Sequence, residues 1–163
     1  MTVAFYPGAF DPITNGHLDI ATRAARLFEK VCVGVYDTPA KDLLFSTEER
    51  LELVRQVVAG TSNKNIDVVT YTGLTVDFAK KIGAQTIVRG LRVATDFERE
   101  FDMAMMNKKI APDCELVCLM ASQQYQFVSS SRLKEVVALG GPINDLLPEV
   151  VEIALRKKLT GKD

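Results

Sequence analysis

The sequence predicts a single α/β domain of the Rossmann-like, doubly wound type, with a five-stranded parallel sheet covered by helices on both faces and helices at its C-terminal end. Short apolar runs with little polar alternation recur along the chain, which is typical of strands buried on both faces. Longer segments with helical periodicity separate them, as crossovers between parallel strands require. The length of 163 residues suits one domain. We expect residues 1–159 to form it and residues 160–163 to be a frayed tail.

The strands are predicted where apolar and β-branched residues run together and then meet turn-forming residues. The first run, for example, closes at Pro7 and Gly8. The five predicted strands are, in chain order, Thr2–Tyr6, Val31–Tyr36, Ile66–Thr70, Thr86–Val88 and Leu116–Met120.

The helices are predicted from apolar residues at three- and four-residue spacing and from start and stop signals. Ser46 and Glu49 have the spacing of a capping box, as do Thr95 and Glu98, while glycines mark several helix ends. The six predicted helices are Asn15–Phe28, Ser46–Gly60, Leu74–Ile82, Thr95–Ile110, Ser130–Leu139 and Pro148–Leu159.

The composition excludes several classes of protein. Hydrophobic residues at 47% and charged residues at 25% argue against disorder, collagen and coiled coil. A net charge of −1 gives no basis for a nucleic-acid surface, and the short apolar runs exclude a membrane-spanning helix. The first seven residues lack the features of a secretory signal. Three cysteines without metal-binding spacing (Cys32, Cys114 and Cys118) indicate reduced thiols, no protein metal site and a cytoplasmic location.

Functional residues are expected in the loops after the strands, because open parallel sheets bind ligands at the C-terminal ends of their strands. The loop after the first strand, Pro7–His17, contains two glycines and two prolines and leads into a helix. The unpaired amides at a helix N-terminus form an anion site. His17, the only histidine, lies in that first turn. An isolated histidine is more often simply packed or solvated, but this setting favours a role at a phosphate.

The loops after three other strands also carry groups suited to anions. Lys41 follows the second strand, Arg89 and Arg92 flank a glycine after the fourth, and Ser129–Ser131 opens a helix after the fifth. A lysine or arginine on a surface is often only solvated, and a serine often only caps a helix, although capping needs just one of the three. The sequence contains neither a dinucleotide-binding nor a P-loop pattern, and no loop offers a convincing general base.

This set of residues suits the transfer of a nucleotidyl group between phosphates. A phosphate monoester is largely dianionic at pH 7 and is therefore already a nucleophile. The protein then needs only to align the reactants and to neutralise developing charge. We expect His17, Lys41 and Arg92 to be the catalytic residues, with Arg89 beside them and Mg²⁺ bound through the substrate phosphates.

The chain also resembles a known family. Thr14–His17 is similar to the Thr/His-x-Gly-His signature of the cytidylyl- and adenylyltransferase superfamily, and Ser129–Ser131 with the following basic residue resembles its second signature. Within it, Tyr6–His17, Arg89–Arg92 and Ser129–Glu135 resemble the bacterial phosphopantetheine adenylyltransferases, over essentially the whole chain. The resemblance implies a single nucleotidyltransferase domain that converts ATP and 4′-phosphopantetheine to dephospho-coenzyme A and pyrophosphate with Mg²⁺. It also implies a homohexamer and names coenzyme A as a candidate feedback inhibitor.

The resemblance further implies two sets of binding residues. ATP would contact Ala9, Phe10, His17, Gly90, Leu91, Arg92, Glu100, Tyr125, Gln126, Phe127, Val128, Ser129, Ser130 and Ser131. Phosphopantetheine would contact Ala9, Lys41, Thr75, Arg89 and Glu135, with Met105–Asn107 along its pantetheine arm. Ala9 stands where the family usually has Ser or Thr. We expect weaker substrate binding from this change, since a hydroxyl bonded to a charged group contributes roughly 1.5–3 kcal/mol.

Two alternatives remain open at this point. One is a sister nucleotidyltransferase acting on another phosphorylated small molecule, such as a nicotinamide or glycerol phosphate. The other is a non-catalytic regulator that binds a nucleotide. Pyrophosphate release with a panel of acceptors distinguishes the three interpretations.

Overall fold

A computed structural model describes residues 2–40 and 42–161 of the chain. Its sheet has five parallel strands in the spatial order β3-β2-β1-β4-β5. The strands are β1 (Val3–Gly8), β2 (Lys30–Tyr36), β3 (Ile66–Tyr71), β4 (Thr86–Leu91) and β5 (Glu115–Met120). The predicted fold class, a doubly wound α/β sheet, is therefore confirmed.

Helices connect the strands and complete the C-terminal part of the described chain. They are α1 (Asn15–Leu27), α2 (Thr47–Ala59), α3 (Thr75–Lys81), α4 (Ala94–Ile110), α5 (Ser130–Ala138) and α6 (Glu149–Thr160). A short 3₁₀ turn at Gln123–Tyr125, which the sequence pattern did not predict, follows β5. Within residues 2–40 and 42–161, no helix is long and apolar enough to cross a membrane.

The helices bury apolar residues on both faces of the sheet. On one face, α1, α2, α5 and α6 pack around a core that includes Ala24, Val33, Val54, Val137 and Leu155. On the other face, Phe5 packs against Tyr71 and Phe78 with ring centroids about 5 Å apart. α4 lies over β4 and β5 on this second face, and none of its residues is buried.

The strand order places a crevice next to β1. The chain leaves β1 towards β2 and β3, and then crosses back to add β4 on the opposite side of β1. The connections that leave β1 and β4 therefore run to opposite faces of the sheet. The space left between them, at the C-terminal ends of β1 and β4, is a cleft.

Three local features differ from the sequence predictions. β4 continues through Leu91, because Arg89, Gly90 and Leu91 pair with β5, so these residues end a strand rather than begin a loop. Thr95 and Glu98 form no capping box, since α4 begins at Ala94 and its N-cap is Val93. α6 includes Thr160, which the sequence predicts to lie in the tail, and Gly161 caps the helix in the left-handed conformation (φ 66°).

Candidate active site

A cleft of about 520 Å³ lies at the switch point between β1 and β4. The end of β1, the end of β4, the N-termini of α1 and α5 and one side of α4 form its walls. Predicted site residues that line it are Ala9, Phe10, His17, Arg89, Gly90, Arg92, Glu100, Tyr125, Val128, Ser129, Ser130 and Ser131. Segments far apart in the sequence therefore meet at one cavity, because the parallel strands all end at the same edge.

The Thr14–His17 segment is a capping box in which a histidine replaces the usual Glu. Thr14 is the N-cap of α1, and its hydroxyl accepts a hydrogen bond from the His17 amide at 3.2 Å. The His17 ring in turn accepts one from the Thr14 amide at 3.0 Å. The spacing of the signature is thus the spacing of a helix N-terminus, where the first and fourth residues face each other.

These contacts determine the tautomer of His17. A backbone N–H can only donate, so the Nδ1 atom that receives the Thr14 N–H has its lone pair exposed and carries no proton. The proton of the neutral ring is then on Nε2. The ring also lies edge-on to Phe10, with centroids 5.2 Å apart. His17 is therefore held from two sides as an Nε2–H donor.

Gly16 lies where the N-terminus of α1 packs against Tyr125. A Cβ at this position would lie 3.4 Å from the Cβ of Tyr125 and 3.5 Å from the Thr14 hydroxyl. These distances are at the lower end of ordinary contact, so a side chain beyond Cβ has little room there. A glycine between the cap and the histidine lets Tyr125 approach the helix N-terminus.

Two arginines at the end of β4 are held by two carboxylates one turn apart on α4. Arg89 donates through Nε to Glu100 at 2.9 Å and through Nη1 to the Pro7 carbonyl at 2.9 Å. Arg92 donates through Nε and Nη2 to Asp96, and through Nη1 to the Val128 carbonyl at 2.9 Å. Arg89 Nη2 also lies 2.8 Å from the same Glu100 oxygen, so each arginine is held by one carboxylate and one backbone carbonyl.

Both arginines line the cleft, so their charges lie beside any anion bound there. Burial lowers the pKa of Arg89, but the hydrogen bonds and charge of Glu100 raise it by more, so the pKa lies above its usual value and the side chain stays charged. For Tyr6, which also lines the cleft, burial has the opposite effect and raises the pKa of the hydroxyl, which is therefore neutral.

The serine triplet forms the N-terminus of α5. Ser129 is the N-cap and accepts the Arg132 amide at 3.3 Å, and Ser130 donates to the Pro12 carbonyl at 2.8 Å. The hydroxyl oxygens of Ser131 and Ser129 lie 3.3 Å apart, within hydrogen-bond distance. Since α1 also begins at the cleft, the positive ends of two helix dipoles lie there, which favours binding of a polyanion.

A buried ion pair connects three segments around the cleft. Asp11, which is only 2% exposed, accepts hydrogen bonds from Lys134 of α5 at 2.6 Å and from the amides of Leu44 and Phe45. Burial raises the pKa of Asp11, but these hydrogen bonds lower it by more, and its pKa falls below the usual range. Lys134 and Asp11 both line the cleft.

Some predicted residues lie outside this cleft. Lys41 is not among the described residues. Leu91 is buried in the core, Phe127 is exposed, and Thr75 contacts the Tyr71 hydroxyl at 3.2 Å. Gln126 and Glu135 also do not line the cleft. The binding roles of these residues stay predictions that rest on the family resemblance.

The sequence analysis missed several residues that line the cleft, notably Asp11, Asp96, Arg99 and Lys134. Two of them follow spacings that a sequence does show. Lys134 stands four residues after Ser130 and so shares its face of α5, and Asp96 precedes Glu100 by four on α4. Nothing in the sequence indicates that Asp11 pairs with Lys134, since 123 positions separate them.

An all-parallel sheet with a cleft at its switch point, where arginines, serines and a histidine lie at two helix N-termini, is the arrangement expected of a nucleotidyltransferase. Residues 5–136 match the family described as cytidylyltransferase-like. Relatives named phosphopantetheine adenylyltransferase are 50% identical over 157 residues in Roseiflexus sp. (strain RS-1) and 52% identical over 158 residues in Thermomicrobium roseum. These alignments cover 96% and 95% of this chain, and 97% and 93% of the relatives. The chain belongs to the phosphopantetheine adenylyltransferase family, as the resemblance implied.

A solved structure supports the fold. It is described as a nicotinate-nucleotide adenylyltransferase from Vibrio parahaemolyticus, and it superposes with a TM-score of 0.73 at 20% sequence identity. The superposition covers 98% of this chain and 95% of that one. At this identity the likeness concerns the architecture alone.

Proposed function

We propose that this protein transfers the adenylyl group of ATP to 4′-phosphopantetheine, forming dephospho-coenzyme A and pyrophosphate. The observation that carries the proposal is the convergence of the Thr14–His17 capping box, the Arg89 and Arg92 pair and the serine N-terminus of α5 on one cleft. A sister enzyme would share this chemistry. Relatives that carry the phosphopantetheine name and are 47–52% identical over nearly the full chain favour this acceptor over others.

The reaction is a direct displacement at the α-phosphorus of ATP. An oxygen of the acceptor phosphate forms a bond to this phosphorus, the bond to the oxygen bridging the α- and β-phosphates breaks, and pyrophosphate leaves with that electron pair. The acceptor is largely dianionic at neutral pH, so no side chain has to remove a proton. The protein contributes alignment and stabilisation of the charge that develops on the transferring group.

His17 is the group we assign to the α-phosphate. Because Nδ1 accepts the Thr14 amide, the ring can act as an Nε2–H donor without first taking up a proton. A donor that is already oriented costs little reorganisation when charge develops on the phosphoryl oxygens. The capping box thus positions the proposed catalytic group and stabilises α1 with the same two hydrogen bonds.

The other cleft residues are assigned to the two substrates. Arg92, Gly90 and the serines at the start of α5 would hold the triphosphate, and Tyr125 would cover the nucleotide. Arg89 and Ala9 would contact the acceptor phosphate. The resemblance assigns Phe10 to ATP, and we assign its backbone amide to the acceptor phosphate, which attacks ATP. Lys41 would lie beside them as a catalytic cation, an assignment that rests on the family resemblance.

Mg²⁺ fits this site as an ion that arrives with the triphosphate. Asp11, Asp96 and Glu100 line the cleft, but each already accepts hydrogen bonds from a cationic side chain. Among the residues of the described ranges, no group of three potential ligands could hold a metal ion. We assign Mg²⁺ to phosphate oxygens and water, where it would offset phosphate charge.

We also propose that the enzyme is a cytoplasmic homohexamer with coenzyme A as a feedback inhibitor. The exposed apolar residues of α4 support assembly, because monomers rarely expose so many together. They are Phe97, Phe101, Met103, Met105, Met106 and Ile110. Coenzyme A contains the product of this reaction with one further phosphate, so it has the chemistry to compete for the cleft.

The acceptor panel tests the proposed function. The protein is incubated with ATP, Mg²⁺ and, in separate samples, 4′-phosphopantetheine, nicotinamide mononucleotide and glycerol 3-phosphate, and pyrophosphate release is measured. We expect pyrophosphate release in the sample with 4′-phosphopantetheine and in neither of the other two samples. Release with a different acceptor would indicate a sister enzyme, and ATP binding without any release would indicate a regulator.

A further inference from the structure

A fully buried arginine lies directly behind the cleft without lining it. Arg50 is the fourth residue of α2, has 0% exposed surface and is the largest fully buried side chain in the described part of the chain. Among the described residues no carboxylate forms an ion pair with it. A fully buried guanidinium outside any ion pair is costly: burial lowers the pKa of Arg50, and the charges of Asp11, Asp37 and Glu48 offset this only in part. Its position therefore calls for an explanation beyond packing.

The partners of Arg50 are backbone carbonyls at the edge of the sheet. Nη1 donates to the carbonyls of Ala9 and Tyr36, each at 2.7 Å. Nη2 donates to the Asp37 carbonyl at 3.4 Å and to the Thr47 hydroxyl at 2.9 Å. Four of its five N–H groups are used in this way, and only the buried Nε has no partner among the described residues.

These carbonyls lie where β1 and β2 end: Ala9 directly follows β1, Tyr36 is the last residue of β2, and Asp37 follows it. The ladder between β1 and β2 ends at the Gly8–Val35 pair, so Ala9 and Tyr36 are the residues that would come next. Arg50 bonds the carbonyls of both residues, and thereby links the two strands one step past their last pair. One of the two segments leads to Phe10 and His17 and the other leads to Lys41.

The same contact determines the direction of the Phe10 amide. The C=O and N–H of a trans peptide point in opposite directions, so the Phe10 N–H points away from Arg50 while the Ala9 carbonyl points towards it. Ala9 and Phe10 both line the cleft. Phe10 also has a left-handed backbone (φ 50°), which a residue with a Cβ adopts only where its surroundings impose it.

We infer that Arg50 is a positioning residue, whose guanidinium holds the loops after β1 and β2 together and aims the Phe10 amide at the acceptor phosphate. The inference rests on the proposed function for the identity of that phosphate. It also explains why a buried cation tolerates the absence of an ion pair. The carbonyls that stabilise it are those whose orientation the site requires.

Steady-state kinetics with three variants test this inference. Arg50→Met removes the donors at similar volume, and Arg50→Lys keeps the charge but not the planar fork. Thr47→Val removes one anchor of the guanidinium and leaves the buried charge in place. We expect Arg50→Met to raise the KM for phosphopantetheine about tenfold or more and to lower kcat by up to about 100-fold, with the KM for ATP changed much less. Thr47→Val should raise the same KM by a few fold, and Arg50→Lys should lie between.

Val54→Ala is the matched control, because Val54 is fully buried on the same helix but contacts neither loop carbonyl. It should lower the melting temperature and leave both KM values within about twofold of wild type. The inference is wrong if Arg50→Met and Thr47→Val change only the melting temperature, as this control does. If Arg50→Met does not fold, Arg50→Lys and Thr47→Val decide.

A readout without turnover separates this inference from the proposed function. In wild type, titration with inorganic phosphate should shift the ¹H–¹⁵N resonance of the Phe10 amide, and in Thr47→Val the shift should be reduced. An equal shift in both proteins would overturn the role of Arg50. A wild-type protein that shows the shift but releases no pyrophosphate with phosphopantetheine would instead refute the proposed function alone.

Discussion

At the scale of single residues, the site depends on side chains whose hydrogen-bond partners define their charge and direction. His17 is an Nε2–H donor because of one backbone amide, and Asp11 is an anion because three donors surround it. The sequence predicts the presence of His17 at a helix N-terminus. It does not show the tautomer, which depends on the orientation of the ring towards Thr14.

Replacing His17 tests its assignment to the transition state. We expect His17→Ala to lower kcat by about 10²–10³ with ATP affinity nearly unchanged, because an interaction made mainly in the transition state contributes little to substrate binding. His17→Gln, which places an amide donor near the position of Nε2, should recover part of the rate. The measurements are pyrophosphate release and ATP titration calorimetry. Loss of ATP binding with kcat intact would place His17 in substrate recognition instead.

The buried Asp11 predicts a pH dependence of stability. Its pKa is lower in the folded protein than in the unfolded chain, so it stabilises the fold above the unfolded value of about 3.9, and this contribution is lost as the pH falls through the folded pKa. Asp11→Asn should therefore lower the free energy of unfolding at pH 7 by about 1.5–3 kcal/mol and weaken its decline in acid. Urea unfolding at pH 7, 5 and 3.5 measures both effects.

Asp42→Asn is the control for this measurement, since Asp42 is an exposed carboxylate on the rim of the same cleft. It should change the free energy of unfolding by less than about 0.5 kcal/mol at each pH. A pH profile of Asp11→Asn that runs parallel to wild type would show that Asp11 does not contribute to acid sensitivity.

At the scale of secondary-structure elements, two helices begin with the same device and use it differently. α2 begins with a capping box of Ser46 and Glu49, neither of which lines the cleft. α1 begins with Thr14 and His17, which both line it. The sequence predicts both helices from ordinary signals. The chemical role of α1 comes from where its N-terminus lies, and this depends on the sheet.

The two caps form a matched pair of variants. Thr14→Ala and Ser46→Ala each remove a hydroxyl that accepts an amide, and each should lower the free energy of unfolding by about 1 kcal/mol. Only Thr14→Ala should also lower kcat, by several fold, because it loosens the support of His17. Thermal unfolding and pyrophosphate release measure the two quantities. Equal kcat values in both variants would contradict a link between the cap and catalysis.

At the scale of the whole molecule, α4 combines two faces with different roles. Asp96 and Glu100 on one face hold the cleft arginines, and the exposed Phe97 and Phe101 on another lie with ring centroids 6.0 Å apart. If a second copy covers the apolar face, assembly also steadies the helix that holds Arg89 and Arg92.

Light scattering after gel filtration tests the proposed assembly. Wild-type protein should have the mass of six chains, and Phe101→Ser should shift the distribution to smaller species with lower activity, because exposed aromatic area no longer favours association. Ile153→Ser, which removes an exposed apolar side chain from α6, should leave the mass unchanged. A wild-type protein that runs as a single chain would refute the hexamer.

The sequence by itself determined the fold class and the five strands and six α-helices of the described chain, but not the 3₁₀ turn at Gln123–Tyr125. It also indicated that the segments after β1 and β5 and the end of β4 carry anion-directed residues. These features are local or periodic: apolar runs, caps, glycines, and signatures whose spacing equals a helical turn. The end of a strand is not determined by its own sequence where pairing with a neighbouring strand sets it. At Arg89–Leu91, pairing with β5 extends β4 past the turn signal of Gly90.

Only the tertiary structure decided which side chains meet. Asp11 with Lys134, Arg50 with the Ala9 carbonyl, and Arg92 with the Val128 carbonyl are separated by 123, 41 and 36 positions. Such contacts leave no periodic trace, because they arise from the order of strands and the direction of crossovers. The physical reason is that hydrogen bonds act over about 3 Å, whereas sequence patterns reflect only neighbours along one helix or strand.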